Sequence, residues 1–291
     1  MTALAAGRKR ALSPREKRAA LRARADLMRG TRGAEKRFVA ALRGIVKGVH
    51  EVFLAYLEPA MREAVTPPTL DAKGAPPHTP KATGRASRDV DTILRAVLPQ
   101  VGPKVAAAHE RMAGEVSKAY AISMSKILPV GWKNVPSTVQ AQAGLARDNA
   151  ITLCEKAVIS YADQTREVFA DPEQTIGKRW EDLRDALIDR GVVNESRAEL
   201  IARDQTLKLN AAINQAHQRS VGVDSYVWST SGDERVRDSH AELDGQTFRW
   251  DAPPEPGNPG EDFQCRCVAL PIIDDLAGFD MPGQRPDAGE D

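Results

Sequence analysis

The chain has 291 residues, 42% hydrophobic and 28% charged, an ordinary composition with ample apolar content for one large domain or two smaller ones. Aromatic content is only 5%, and with heavy use of Ala, Arg, Glu and Leu this favours helices over a β-sandwich. No window approaches the roughly 18 consecutive apolar residues of a membrane span, and Leu21–Ala41, behind a basic N-terminus, lacks the unbroken apolar stretch of a signal peptide.

Three cysteines, an odd number in a chain this long, predict reduced thiols and a reducing cytoplasm, at least at first. The net charge of +1 conceals an asymmetry. Residues 1–50 hold fourteen Lys/Arg against three Asp/Glu, a local charge of +11, so residues 51–291 sum to −10. A basic arm of this kind, including Arg8, Lys9, Arg10, Arg15, Lys17, Arg18, Arg22 and Arg24, suits phosphate or an acidic protein surface. A solvated helix face is the plainer alternative. Residues 1–37 contain no aromatic side chain, which argues against base stacking there.

In chain order, Ser13-Pro14-Arg15-Glu16 has the form of a capping box with proline at the first helical position, predicting a helix to Met28 that stops at Gly30. Phe38, Leu42, Ile45, Val46, Val49, Phe53 and Leu57 recur at helical spacing in a second helix, where Gly44 and Gly48 lie four apart. Five prolines and two glycines between Thr66 and Arg88 read as a linker or long surface loop. A short helix is expected over Asp89–Leu98 and a longer one over Pro103–Leu128, with Val105, Met112, Val116, Ala119 and Ile122 on its apolar side.

After a connector to Pro136, Ser137 opens a helix to Ala170 with Val139, Leu145, Leu153, Ala157, Val158, Tyr161 and Val168 inward. Cys154 falls on that apolar side and reads as core. Asp171-Pro172 restarts the chain towards Gly191, and Asn194 is read as the cap of a helix ending near Ser220 before Gly222. The texture then changes. Ser225–Ser229 alternates as a strand, Asp244-Gly245 signals a turn into a strand over Gln246–Trp250, Ala252–Gln264 is a Pro/Gly loop, and Cys265–Ile272 suits a closing strand. The acidic stretch after Asp274 reads as a tail.

The predicted fold is therefore mainly α-helical with a small α+β module. Its divisions are a basic helical arm over 1–65, a Pro-rich linker over 66–88, a helical body over 89–222, the module over 223–273 and the tail over 274–291.

The module holds a run that packing does not require. Ala198-Glu-Leu-Ile-Ala-Arg-Asp-Gln205 is followed by Lys208, Asn210 and Asn214, and then by Gly222-Val-Asp-Ser-Tyr-Val-Trp228-Ser-Thr-Ser-Gly-Asp233-Glu-Arg-Val-Arg237. His240, Leu243, Gly245, Phe248, Pro259, Gly260 and Cys265-Arg-Cys267 come next in order. From Ser196 to Ile273 this run closely resembles the phage Mu F-like family of minor head (head morphogenesis) proteins, and it needs a dozen distinctive residues in sequence. The resemblance implies a low-copy component of a tailed-phage or prophage head. Its partners would be the portal and the procapsid or scaffold proteins, with double-stranded DNA as a further candidate, and its place the virion after host cytoplasm. Some relatives carry a toxin domain after the module, and none is expected after Ile273.

His240, Cys265 and Cys267 are natural zinc ligands, and a metal joining them would fix the Ala252–Gln264 loop. Asp233, Asp244 and Asp262 are candidates for a fourth ligand. In a regular strand residues 265 and 267 lie about 6.5–7 Å apart, so joint chelation needs a bend. Reduced packed thiols and a redox pair are the alternatives. Asp233, Arg235 and Arg237 suit a salt-bridge network around the Gly245 turn, with Arg266 between the thiols; the arginines equally suit phosphate or an acidic portal surface. His50, His78, His109 and His217 carry no partner spacing.

His240-Ala-Glu242 before a cysteine pair partly resembles the H-x-E…P-C-x-x-C arrangement of zinc deaminases. It departs from that pattern in its CxC spacing and in Gln264, and no alternating α/β texture supports it. The expectation is a non-catalytic protein. A stand-alone nucleic-acid binder and, more remotely, a zinc hydrolase are the competing classes.

Overall fold

Phe38, Leu42, Val46, Val49, Phe53 and Leu57 lie on one side of a helical wheel, and this side is the buried face of α1 (Arg32–Ala64) in the computed structural model. The structure describes residues 31–65, 80–127, 137–175, 178–220 and 222–272. The helix predicted over 14–28, the basic arm residues, His78, most of the Pro-rich stretch, the 128–136 connector and the acidic tail lie outside them.

Helix α2 (Pro80–Ile127) is one continuous element and contains Pro99 and Pro103. It replaces the two helices read from the sequence, and it starts inside the stretch read as linker. An interior proline costs about 3 kcal/mol through a lost hydrogen bond and a clash. Here Pro99 and Pro103 both lie on the exposed side of the helix. The opposite side buries Val90, Ile93, Val97, Val101, Val105 and Met112, each worth roughly 1.5–3 kcal/mol. Packing outweighs propensity.

Helix α3 (Ser137–Ala170) matches its expected span. Val139, Ala157, Val158, Tyr161 and Val168 are buried with Cys154, whose thiol is pushed up to about 12 by that burial. Two residues read as inward are not: Leu145 on α3 and Ile122 on α2 are 66% and 58% exposed. After the single turn α4 (Pro172–Thr175), helix α5 (Trp180–Ser220) runs unbroken through Gly191 and Asn194. Neither ends or starts a helix. Asn194 Nδ2 donates back to the Arg190 carbonyl (2.9 Å), four residues earlier, so its side chain is used within the helix. A Cβ on Gly191 would stand 2.9 Å from His50 Nδ1, so glycine there admits a buried ring from α1.

The remaining elements are β1 (Ser225–Ser229), the one-turn helix α6 (Asp238–Ala241), β2 (Thr247–Arg249) and β3 (Val268–Pro271). The strands form an antiparallel sheet in the order β2-β1-β3, with Tyr226 opposite Phe248 and Trp228 opposite Ala269. The mainly helical fold with a small sheet is as expected, though β2 and β3 are shorter than predicted.

The chain divides into two compact units. One is Gly33–Glu115 with Ala141–Thr206; the other comprises Met1–Arg32, Val116–Gln140 and Leu207–Asp291. Among its described residues the first holds helices and no strand, with Phe38, Phe53 and Tyr161 in its core. The second holds the sheet and the last part of α5. There Asn214 Nδ2 and Gln218 Nε2 both donate to the Ala269 carbonyl on β3 (2.9 Å each), Gln218 Nε2 also reaches Asn214 Oδ1 (2.7 Å), and Tyr120 Oη donates to Asn214 Oδ1 (2.5 Å). This buried amide network joins helix to sheet.

Candidate metal centre

The alternation of β1 points Tyr226 and Trp228 to one side, and both are fully buried. They form one cluster with Trp250, Cys265, Cys267 and Ala269, and Leu243 and Phe248 pack against it. Tyr226 and Trp250 have ring centroids 4.4 Å apart, while Trp228 meets His240 edge-on at 5.4 Å.

His240 is brought there by local hydrogen bonding. Beyond β1, the Asp244 carboxylate accepts from Thr230 N (2.8 Å) and Oγ1 (3.1 Å). Gly245 adopts φ +80°, a conformation costly for any residue with a Cβ, and its amide returns to the Trp228 carbonyl at 2.8 Å. Between these anchors α6 turns once and carries His240 into the core. That one-turn helix was not foreseen from the sequence.

The thiols arrive from the other direction. Tyr226 Oη donates to Asn258 Oδ1 (3.0 Å), and Asn258 N and Nδ2 donate to the Glu261 carboxylate (2.8 and 2.9 Å). Gly260, at φ +90°, lies so close to α5 that a Cβ would stand 2.6 Å from Ala211 Cβ. Gln264 is the one described non-glycine residue with positive φ, at 55°. It turns the chain directly before Cys265, so residues 265–267 precede β3 instead of lying on it. This is the bend that chelation by a CxC pair requires.

His240 Nδ1 is 3.5 Å from Cys265 Sγ and 3.6 Å from Cys267 Sγ, all three residues are buried, and their ligand atoms lie within 4.8 Å of one another. Zinc bonds of about 2.3 Å to sulfur and 2.0–2.1 Å to nitrogen, arranged tetrahedrally, separate S from N by about 3.6 Å. The trio therefore has the spacing of a zinc edge and is placed to hold a metal ion. Hydrogen bonding from Cys267, backbone amides of Cys267 and Gly260, and the charge of His240 draw the Cys265 thiol below its ordinary pKa, against the opposing effect of burial.

The three acids considered as a fourth ligand are engaged elsewhere. Asp244 holds Thr230. Asp233 forms a two-pronged pair with Arg266, one contact at 2.7 Å, and also accepts from the Arg235 amide (3.2 Å). The Arg266 hydrogen bond is the main reason the Asp233 carboxyl falls to about 2. Asp262 lies 3.5 Å from His240 Nε2, the nitrogen opposite the thiols, and 3.1 Å from Arg237 Nη1.

Arg237 Nη2 also donates to the Phe263 carbonyl (2.8 Å), so this arginine clasps the loop. The expected salt-bridge network thus has different partners: Asp233 pairs with Arg266, Arg237 with Asp262, and Arg235 meets Asp233 through its backbone. Asn258, Glu261 and Gln264 were missed in the sequence; the two turn glycines beside them were the available signal.

The family model described as "Phage Mu protein F like protein" matches residues 173–270. The resemblance read over Ser196–Ile273 is borne out, and the match extends upstream to take in α5 from its start. That segment, with its helix, sheet and His–Cys–Cys cluster, is the part of the chain that is similar to phage Mu F-like proteins. An uncharacterised protein of Haemophilus influenzae (strain ATCC 51907 / DSM 11121 / KW20 / Rd) is 41% identical over 143 residues, which is 49% of this chain. The chain spans only 32% of that relative's length. No solved structure matches. No described helix is long and apolar enough to cross a membrane.

Proposed function

We propose that the protein is a minor head protein of a tailed phage or prophage, binding portal and procapsid or scaffold proteins during head assembly, packaging or ejection. The observation that carries this reading is the Mu F-like match over 173–270. Its motif residues are spent on internal contacts: Asp233 on Arg266, Arg237 on the 252–264 loop, Asn214 on β3. Such residues build a rigid docking unit and work without turnover. Glu242, the acid a zinc hydrolase would need, is exposed.

Structural zinc held by His240, Cys265 and Cys267 belongs to the same proposal; it would tie the one-turn helix to the end of the loop and add to folding. The basic residues from Arg8 to Arg24 supply positive charge for portal or DNA contact. The protein passes from host cytoplasm into the virion.

The test is mass spectrometry of particles purified with and without the portal protein, beside a gene deletion. The protein is expected in wild-type heads at low copy, depleted without portal, and deletion lowers the yield of filled heads. Infectious, normally filled particles in the deletion would overturn the reading.

A further inference from the structure

We infer that Asp262 is the positioning residue of the metal site, orienting His240 from its far side, and that Arg237 holds Asp262 in place. This rests on the zinc reading above.

The geometry leaves one arrangement. His240 Nδ1 is the ring nitrogen 3.5 and 3.6 Å from the two sulfurs, so it is the nitrogen that meets a metal. Nε2 then carries the proton, and the acceptor 3.5 Å away is Asp262 Oδ2. That separation is a contact short of a finished hydrogen bond, as expected of a ring held only by packing. A carboxylate on the non-ligating nitrogen fixes both tautomer and ring plane, and makes the ligating nitrogen a better donor. Trp228 limits the ring edge-on at 5.4 Å, so the remaining freedom is rotation, which Asp262 restrains.

Asp262 is itself steered. Its side chain is 41% exposed, and Arg237 Nη1 meets the same Oδ2 oxygen at 3.1 Å while Nη2 holds the next residue's carbonyl at 2.8 Å. The arginine thereby sets both the carboxylate and the backbone that bears it. The motif spacing of Arg237 and His240 follows: three residues place both on the entry to α6, facing one acid of the loop.

Zinc affinity of the full chain, measured by competition with a chromophoric chelator, separates the outcomes. Asp262→Asn keeps size and shape but removes the charge, and is expected to bind one zinc 10- to 100-fold more weakly than wild type, with Asp262→Glu recovering part of the loss. After chelation, wild type and Asp262→Asn are expected to melt together, which a merely structural carboxylate would not allow. Arg237→Gln weakens binding less, and the double variant binds no worse than Asp262→Asn alone. Unchanged affinity in Asp262→Asn, or an equal loss of melting temperature without metal, overturns the inference while leaving the zinc site standing. A wild-type chain that takes up no zinc removes both.

Discussion

Among the described residues His50 has no hydrogen-bond partner for either ring nitrogen; it is 5% exposed, and its ring centroid lies 4.2 Å from that of Tyr161. Burial lowers its pKa from 6.5 to about 4. The charged groups facing it are Glu195, at 3.9 Å, and Arg43, which pairs with the same carboxylate at 3.5 Å. Because the folded value lies below the unfolded one, the unfolded chain takes up the extra proton. Stability attached to the neutral ring is complete above pH 6.5 and is lost as the pH falls towards 4. Thermal melts from pH 7 to 4 are expected to show a falling Tm in wild type and a shallower fall in His50→Phe. Parallel curves would assign the acid sensitivity to other groups, His109 being the nearest equivalent because burial also takes it to about 4.

At the scale of elements, glycines in helices act in opposite directions according to what faces them. On α1, a Cβ added at Gly44 would meet nothing within 4 Å, so Gly44→Ala is expected to stabilise by about 0.5–1 kcal/mol through helix propensity. At Gly191 the same change gains that propensity but drives a methyl to 2.9 Å from the His50 ring. Overpacking of a closed core costs about 1–3 kcal/mol, so Gly191→Ala is expected to destabilise on balance. Urea midpoints of the two variants check the signs. This pair also shows what a sequence reading misses.

Gly191 and Asn194 carry the local grammar of a helix break, as do Pro99 and Pro103, yet all four sit inside helices because distant side chains decide the outcome. The apolar face of α1, the α3 span, the β1 alternation and the Asp244-Gly245 turn were legible because each is encoded within a few residues. The His240–Cys265–Cys267 trio was legible from residue type alone. Its chelating bend was not, since a positive φ at Gln264 has no composition signal. Nor was the Asp233–Arg266 pair, which joins residues 33 positions apart.

Across the whole molecule, charge and chemistry are segregated. Fourteen Lys/Arg fall in residues 1–50, while the Mu F-like match starts at residue 173. Removal of residues 1–30 is therefore expected to leave the melting transition and zinc content unchanged. It should abolish the salt-sensitive part of binding to portal, procapsids or DNA, seen as a flatter dependence of affinity on ionic strength. Co-sedimentation with purified procapsids and with duplex DNA at low and moderate salt would distinguish the two targets. Undiminished, salt-insensitive binding would remove the arm from the interaction.

The amides of Asn214 and Gln218 on the Ala269 carbonyl also constrain how a neighbour can approach. β3 is an outer strand, and an outer strand ordinarily invites pairing by an extended peptide from another chain. Here that acceptor is already occupied by two side-chain amides, while the other rim, β2, is three residues long. Annexing a foreign strand is thereby discouraged on both borders. The segment is left to meet a neighbour through loop and helix side chains, a mode that keeps sheet-bearing copies of the chain from zipping together edge to edge.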